Sequence, residues 1–168
     1  KWLGDHDKEN WIKIKKKYNP TVFFAIDDGQ VREKLFNNIY KLNCKNILFK
    51  NSSISKSSKI FLKKSKSIII QDYARIMPNV QIGTGSKIHI SAQIHHDCKI
   101  EKFVTIAPKA LILGNVKINE YAYIGANATI KQKIKIGKGA IIGAGAVVTK
   151  NVKNFDIVAG VPAKSIKT

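Results

Sequence analysis

Residues 118–148 read INEYAYIGANATIKQKIKIGKGAIIGAGAVV, and an aliphatic side chain returns at every sixth position of this stretch. The same register extends back to residue 70 without a break. This period is neither the roughly 3.6 residues of an amphipathic helix nor the alternation of a strand. It fits a coil with three flat sides of six residues, each side directing one large aliphatic residue into a core that stacked coils share. The fourteen residues of this stripe are Ile70, Ile76, Ile82, Ile88, Ile94, Ile100, Ile106, Ile112, Ile118, Ile124, Ile130, Ile136, Ile142 and Val148.

A second stripe lies four positions after the first, and most of its members are small. Glycine directly follows the large aliphatic residue at Gly83, Gly125, Gly137 and Gly143. We expect small residues near each corner of the coil, and we expect these glycines to supply positive φ there. The second stripe is Ala74, Val80, Ser86, Ala92, Cys98, Val104, Ala110, Val116, Ala122, Ala128, Ile134, Ala140, Ala146 and Val152.

Several of these repeats resemble those of the hexapeptide-repeat acyltransferases. The resemblance implies a mainly β fold, a left-handed parallel β-helix. Because hexapeptide repeats also occur in proteins that are not enzymes, a β-helix without a catalytic role is the alternative. The resemblance rests on Ile82-Gly83-x-x-Ser86, Ile124-Gly125-x-x-Ala128, Ile136-Gly137-x-x-Ala140, Ile142-Gly143-x-x-Ala146 and the ending Ala159-Gly160-Val161-Pro162-Ala163-Lys164.

The content of charged residues limits the kinds of molecule that this protein is expected to bind. The 168 residues carry 30 Lys and Arg against 11 Asp and Glu, a net charge of +19, and only Arg32 and Arg75 are arginine. A protein that recognises DNA or RNA would normally contain more arginine, so we expect no nucleic-acid partner. The charge indicates either a solvated lysine surface or attraction of polyanionic small molecules such as a nucleotide sugar or coenzyme A.

The sequence indicates neither a membrane span nor a disulfide framework. No stretch approaches the length of a membrane span, so no membrane partner is expected. Cys44 and Cys98 provide neither a disulfide framework nor zinc spacing, which favours a cytoplasmic location.

The sequence predicts two domains. Residues 1–50 are expected to form a partial α/β lobe, and residues 51–168 are expected to form the β-helix domain with its C-terminal tail. Residues 21–26 predict a buried strand, and residues 30–42 predict a helix with one apolar face. Residues 46–49 predict another strand, and residues 7–18 a basic helix. Residues 52–67 predict the first, irregular sides of the β-helix. The apolar helix face comprises Val31, Leu35, Ile39 and Leu42.

This lobe resembles that of a narrower family, the acetyltransferases of sialic acid and of nucleotide-linked amino sugars, of the bacillosamine- and perosamine-pathway type. The family's lobe binds the nucleotide sugar. Its opening strand, with a Gly-rich, His-containing turn, has no counterpart here, so the lobe is expected to be truncated. The matching segments are Phe24-Ala25-Ile26-Asp27-Asp28-Gly29-Gln30-x-Arg32 and Trp2-Leu3-Gly4-Asp5.

Three of the four histidines, His89, His95 and His96, lie in one stretch that is followed by Asp97 and Cys98. The stretch resembles the catalytic segment of the amino-sugar family, in which a His–acid pair precedes a cysteine. The resemblance implies that His96 is a general base and that Asp97 assists or orients it. An imidazole suits this task because its ordinary pKa lies near neutrality. The alternative is that all three are exposed polar residues.

Two positions depart from the family. His89 stands where the family often has Asn, and Thr105 stands where it tends to have a second His. Both are expected near the acceptor, as candidate substrate-binding residues. His95 is expected to be a bystander, and Cys98 to pack in the small-residue stripe rather than act as a nucleophile.

The resemblance also implies a coenzyme A site between neighbouring β-helices of a homotrimer. Small residues would let the pantetheine arm approach the backbone, and the C-terminal segment would flank the adenosine end. No metal is expected. The implied cofactor-binding residues are Gly114, Ala126, Ala144, Gly160, Pro162 and Lys164.

Together these features predict an acetyl-CoA-dependent N-acetyltransferase of a nucleotide-linked amino sugar, such as a 4-amino-4,6-dideoxyhexose. O-acetylation of sialic acid or another sugar hydroxyl is a close alternative, since it would use the same base and cofactor. A basic β-helix scaffold is a second alternative. A metal-dependent β-helix hydrolase is a third, but consecutive His95 and His96 point apart on an extended chain.

Overall fold

The computed structural model describes residues 13–14, 16–18, 22, 24–39 and 44–166. Two helices with defined bounds and eighteen short strands make up this part of the chain. The helices are α1 (Gly29–Ile39) and α2 (Lys56–Leu62). The strands are β1 (Ile47–Leu48), β2 (Ser53–Ile54), β3 (Ile69–Ile70), β4 (Arg75–Ile76), β5 (Gln81–Ile82), β6 (Lys87–Ile88), β7 (Gln93–Ile94), β8 (Lys99–Ile100), β9 (Thr105–Ile106), β10 (Leu111–Ile112), β11 (Lys117–Ile118), β12 (Tyr123–Ile124), β13 (Thr129–Ile130), β14 (Lys135–Ile136), β15 (Ile141–Ile142), β16 (Val147–Val148), β17 (Ile157–Ala159) and β18 (Lys164–Ser165).

The strands form three sheets that wind around a common core. Sheet 1 has the order β1-β3-β6-β9-β12-β15-β17-β18, sheet 2 the order β2-β4-β7-β10-β13-β16, and sheet 3 the order β5-β8-β11-β14. Ile69 lies opposite Lys87, and Lys87 opposite Thr105, so one coil takes 18 residues, six for each side. All pairings are parallel except that of β17 with β18. The prediction of a mainly β, parallel β-helix is confirmed.

The two predicted stripes fill the interior. From Ile88 to Val148 the large aliphatic residue of each side is at most 2% exposed. The small stripe lies in the same core, with Ala92 and Ala110 fully buried. Because each inward residue stacks on its counterpart one coil away, the core is continuous along the helix axis, and the neighbouring residues of each strand point outward.

Positive φ occurs at a regular corner position, but it is not the position predicted. It falls three residues after the large aliphatic, at residues such as Asn79, Asp97 and Gly85, whereas Gly83 and Gly125 are not among the positive-φ residues. A Cβ on Gly83 or Gly125 would lie 2.6 Å from the backbone of the next coil. These glycines are needed for close approach between coils rather than for a left-handed backbone.

The first coil is irregular because helix α2 replaces a strand of sheet 3. The partners Ile47 and Ile69 are 22 residues apart instead of 18. Ser55 caps the helix, its hydroxyl accepting a hydrogen bond from Ser58 N. Strand β1 is the first strand of sheet 1, so the β-helix begins within the range predicted for the lobe, and the strand predicted over residues 46–49 belongs to the β-helix.

Helix α1 confirms the predicted helix within the described residues, but its buried face differs from the prediction. Val31 is 40% exposed, whereas Arg32 is 1% exposed and Phe36 packs edge-on against Phe103 of the β-helix. Asp28 caps the helix by accepting hydrogen bonds from the amides of residues 30 and 31.

Some sequence predictions for the first third fall outside the described residues. Residues 13–14 and 16–18 are helical, in agreement with the predicted basic helix, and residues 22 and 24–26 are not assigned to a strand. The segment Trp2–Asp5 and Leu42 lie outside the described part. No described helix has the length and apolarity that a membrane span requires.

Candidate active site

The corner between sheets 2 and 3 carries the predicted catalytic pair. His96 and Asp97 form the turn between β7 and β8, and Asp97 has a φ of 59°, which Asp tolerates better than most residues. His96 Nδ1 lies 2.7 Å from Asp97 Oδ2. Because an ionised carboxylate can only accept, Nδ1 carries the hydrogen and Nε2 carries the free lone pair. The two side chains are 55% and 43% exposed, so the pair is open to a ligand.

The free nitrogen of His96 faces a glycine. A Cβ on Gly114, one coil later at the same corner, would lie 2.7 Å from His96 Nε2. Gly114 therefore keeps the space beside the lone pair clear. The pair borders a groove of about 340 Å³ that is lined by His95, His96, Leu113, Gly114, Asn115, Gln132 and Lys133.

Asn79 also belongs to this corner, and sequence reasoning missed it. Its side-chain amide donates a hydrogen bond of 3.1 Å to Asp97 Oδ1. Hydrogen bonds from His96 and Asn79 lower the pKa of Asp97. Asn79 precedes Asp97 by one coil of 18 residues, so writing the chain in rows of 18 would have placed the two side by side.

Cys98 is unsuited to nucleophilic chemistry. It is 1% exposed, and burial raises the pKa of its thiol to about 11. The thiol donates to the carbonyl oxygen of Leu113 at 3.1 Å. The structure agrees with a packing role.

Thr105 lies beneath the turn that precedes helix α1. It is 1% exposed; its hydroxyl donates to the carbonyl oxygen of Asp27 at 2.8 Å and accepts from Arg32 Nη1 at 3.0 Å. This burial argues against the predicted contact of Thr105 with substrate. Its structural role is to hold the lobe on the β-helix.

His89 lies at a different corner, between sheets 1 and 2, and contacts the lobe. Its Nε2 lies 3.3 Å from Asp27 Oδ1, which also binds the ammonium group of Lys87. Burial, and then the nearby Lys87 charge, lower the pKa of His89. Partial burial opposes ionisation of Asp27, but the Lys87 and His89 contacts outweigh it and lower its pKa. His89 is the second candidate substrate-binding residue, and its side chain is 17% exposed.

A second cavity, of about 520 Å³, lies between the start of α1 and sheet 1. One wall is aromatic, from Tyr121 and Tyr123, and the other is the turn that begins with Asp27. Sequence reasoning missed Tyr121 and Tyr123, since their outward positions are set only by the coil register. The lining residues are Asp27, Asp28, Gly29, Gln30, Tyr121, Tyr123, Gly139 and Ile141.

The residues predicted to bind coenzyme A occupy separate places. Gly114 lies beside His96, whereas Ala126 and Ala144 stack at the corner between sheets 1 and 2. Sheet 2 separates the two corners. Pro162 and Lys164 border a C-terminal groove of about 350 Å³, and the carbonyl of Gly160 accepts a hydrogen bond from Val147 N. A single copy of the chain thus does not bring these six residues together.

Within residues 13–14, 16–18, 22, 24–39 and 44–166, no group of three His, Cys, Asp or Glu side chains converges in a way that could hold an ion.

The family model for the bacterial transferase hexapeptide, described as six repeats, matches residues 97–132 and 115–150. WeeI from Acinetobacter baumannii AYE has a similar structure, with 33% identity and a TM-score of 0.71, covering 87% of this chain and 70% of that one. The chain belongs to the hexapeptide-repeat transferases. The predicted family is confirmed.

Two further structures resemble this hexapeptide-repeat protein. The acetyltransferase domain of PglB from Neisseria gonorrhoeae FA1090, in complex with acetyl coenzyme A, is 25% identical with a TM-score of 0.80, and the match covers 87% of this chain and 70% of that one. PerB from Caulobacter crescentus, in complex with CoA and GDP-perosamine, is 23% identical with a TM-score of 0.87, and the match covers 94% and 75%. The PerB likeness shows the shared fold.

Proposed function

We propose that this protein transfers the acetyl group of acetyl-CoA to the amino group of a nucleotide-linked amino sugar, with His96 as the general base. The observation that carries the proposal is the arrangement of His96: Nδ1 is held by Asp97, while Nε2 is open beside Gly114. The similarity to the acetyl-CoA-bound PglB domain supports the choice of donor and reaction.

The base acts on the acceptor amine. The amine nitrogen attacks the thioester carbonyl carbon, and His96 Nε2 takes the proton that the nitrogen loses as the C–N bond forms. The Asp97 carboxylate stabilises the imidazolium that results and keeps the ring in one tautomer. Such a base contributes about 10²–10⁴-fold to the rate.

The leaving group, the thiolate of coenzyme A, takes up the proton that His96 has removed from the amine. As the C–S bond breaks, the thiolate of coenzyme A receives the proton from the imidazolium, so that free thiol leaves and His96 returns to its neutral form. No covalent enzyme intermediate is needed, in agreement with the burial of Cys98 and its raised thiol pKa of about 11.

The site is completed by a second subunit in this proposal. The outer side of sheet 2 carries half-buried apolar residues, among them Leu111, Leu113 and Val147, whereas the outer side of sheet 3 aligns Lys99, Lys117 and Lys135. A homotrimer that places sheet 2 toward its axis would bring the corner with Ala126 and Ala144 of one subunit to the His96 corner of the next. Acetyl-CoA would then lie along this seam.

The binding roles of the remaining predicted residues follow from the same arrangement. Gly114 would allow the thioester to approach the base, and Gly160, Pro162 and Lys164 would flank the adenosine end. The cavity between the lobe and sheet 1 supports a nucleotide-sugar site there, since Tyr123 offers an aromatic wall on which a base can stack. In this proposal the lobe, up to about residue 50, would bind the nucleotide sugar, and the β-helix domain that follows would bind acetyl-CoA.

The test is release of thiol from acetyl-CoA in the presence of a panel of UDP-, GDP- and dTDP-linked amino sugars, with hydroxy-sugars and sialic acid as the comparison. We expect thiol release with an amino sugar and N-acetylated product by mass spectrometry. Product formed only from hydroxy-sugars would favour O-acetylation, and no thiol release with any sugar would contradict both.

The role of His96 has its own control. His96→Ala should lower turnover by about 10²-fold or more, with the oligomer intact by size-exclusion chromatography. His95→Ala, at the adjacent position, should have a far smaller effect because His95 makes no hydrogen bond to Asp97. Near wild-type turnover of His96→Ala would remove His96 from this role.

A further inference from the structure

Asp97 is held at both of its oxygens, although its side chain is 43% exposed. Oδ2 accepts from His96 Nδ1 at 2.7 Å, and Oδ1 accepts from Asn79 Nδ2 at 3.1 Å. The terminal torsion of Asp is broad, so one hydrogen bond does not fix the plane of the carboxylate. Two donors on opposite oxygens do fix it.

The turn that carries Asn79 is anchored by helix α2. Asn79 N donates to the hydroxyl of Ser57 at 3.0 Å, and Val80 N donates to the hydroxyl of Ser58 at 2.9 Å. The fully buried Ser58 in turn donates to the carbonyl of Met77 at 2.7 Å. The turn therefore has side-chain support that a regular coil would not provide.

The next coil is joined to this turn through the backbone. Asp97 N donates to the carbonyl oxygen of Pro78 at 3.0 Å, which fixes the position of Asp97 relative to Asn79. The helix that replaces a strand in the first coil is thus connected, through two turns, to the orientation of the His96 ring.

We propose that Asn79 is a positioning residue for His96. Its amide sets the plane of the Asp97 carboxylate, which in turn sets the tautomer and direction of the imidazole; helix α2 holds Asn79 in place through Ser57 and Ser58. This inference rests on the proposed function, because the benefit is a correctly aimed base. The hydrogen bonds that lower the pKa of Asp97 include the one from Asn79, in agreement with this arrangement.

Two substitutions separate positioning from a role in the turn alone. Asn79 has a φ of 61°, a conformation that Gly adopts freely and that Asp tolerates much as Asn does. Asn79→Gly removes the amide donor without backbone strain. Asn79→Asp keeps the shape of the side chain, but it cannot donate when ionised and places a like charge beside Asp97.

The expected results are a fall in kcat of about fivefold to tenfold for Asn79→Gly and a larger fall for Asn79→Asp, with the KM for acetyl-CoA unchanged. A purely structural role predicts the opposite order, since Asp suits this turn. In an Asp97→Ala background, Asn79→Gly should cause no further loss, because the group it acts through is gone. Wild-type kcat in both single variants, or an equal loss in the Asp97→Ala background, would overturn the inference.

A second readout does not need the substrate. The ¹⁵N shifts of the neutral His96 ring report the tautomer, and Asn79→Gly should move them toward a mixture of tautomers while the thermal unfolding midpoint stays close to that of the wild type. If wild-type protein transfers no acetyl group to any sugar, the proposed function fails, and the ring shifts alone decide on the role of Asn79: unchanged shifts overturn it, and a mixture of tautomers supports it.

Discussion

Arg32 offers a quantitative test of how the lobe is attached to the β-helix. The guanidinium is 1% exposed and donates to carbonyl oxygens on both sides of the junction. On the lobe side it reaches Ile26 O at 2.7 Å and Asp27 O at 2.8 Å. On the β-helix side it reaches Gly85 O at 2.9 Å and Phe103 O at 2.8 Å. Burial lowers the pKa of Arg32 to about 10, so the group remains charged at neutral pH.

Replacement of Arg32 by Met retains the packing volume but leaves the carbonyl oxygens of Ile26, Gly85 and Phe103 without their donor. Asp27 O keeps the hydrogen bond from the Thr105 hydroxyl. Each buried carbonyl oxygen that loses its donor costs about 1–3 kcal/mol, so the loss of three such hydrogen bonds should cost at least about 3 kcal/mol. Each tenfold change in an equilibrium constant corresponds to about 1.4 kcal/mol. The opening of the lobe should therefore increase by at least about 100-fold. The core of the β-helix contains no atom of Arg32, so it should stay folded.

Native-state proteolysis with thermolysin measures this opening, since the cleavage rate follows the open population when closing is fast. We expect rapid cleavage before residue 44 in Arg32→Met, and a protected product that covers the β-helix by mass spectrometry. Lys117→Met is the matched control, because Lys117 is exposed on sheet 3, away from the lobe and from the proposed trimer axis. Arg32→Lys should lie between the two. Equal cleavage rates for Arg32→Met and Lys117→Met would refute the reasoning.

Two other predictions concern the corners. Gly114→Ala should lower turnover by about 10²-fold with an unchanged unfolding midpoint by circular dichroism, because the added methyl would lie 2.7 Å from His96 Nε2; wild-type turnover would show that the lone pair acts elsewhere. Stability should decrease as the pH falls from about 7 to about 5. Burial lowers the pKa of His89 in the folded state, so the unfolded chain takes up the proton first as the pH falls. Thermal unfolding at fixed protein concentration should show a flatter pH dependence for His89→Asn, and an unchanged slope would exclude this cause.

The β-helix could be predicted because its signal is repeated. Each six-residue side places one aliphatic residue in the core, and fourteen repeats make the register unmistakable even where Ser86 or Cys98 stands in the small stripe. The first coil could not be predicted in the same way, since helix α2 interrupts the register and adds four residues between Ile47 and Ile69 compared with a regular coil.

The lobe was harder to predict because single residues determine its attachment. The pattern of apolar residues in α1 predicted that Val31 would be buried, but the helix instead turns Arg32 inward. The acceptors of Arg32 on the β-helix lie 53 to 73 positions further along the chain. The spacing of apolar residues within one helix gives no information about contacts with residues so far along the chain. The same holds for Asp27, which meets Lys87 and His89 across the junction.

The candidate site depends on the regular corner of the coil and on one hydrogen-bond donor that the repeat does not determine. Adjacent residues His96 and Asp97 meet where the corner gives Asp97 a positive φ, which Asn79, Asn115 and Lys133 repeat at the same position of neighbouring coils. The repeat does not supply a donor for the second oxygen of Asp97. That donor, Asn79, comes from the turn that contacts helix α2 of the irregular first coil. If the serines of α2 are what keep Asn79 in place, Ser58→Ala should reduce turnover less than Asn79→Asp but more than Ser52→Ala, whose hydroxyl bonds only to Phe49 O. Equal turnover of the two serine variants would mean that the corner holds its geometry without the helix.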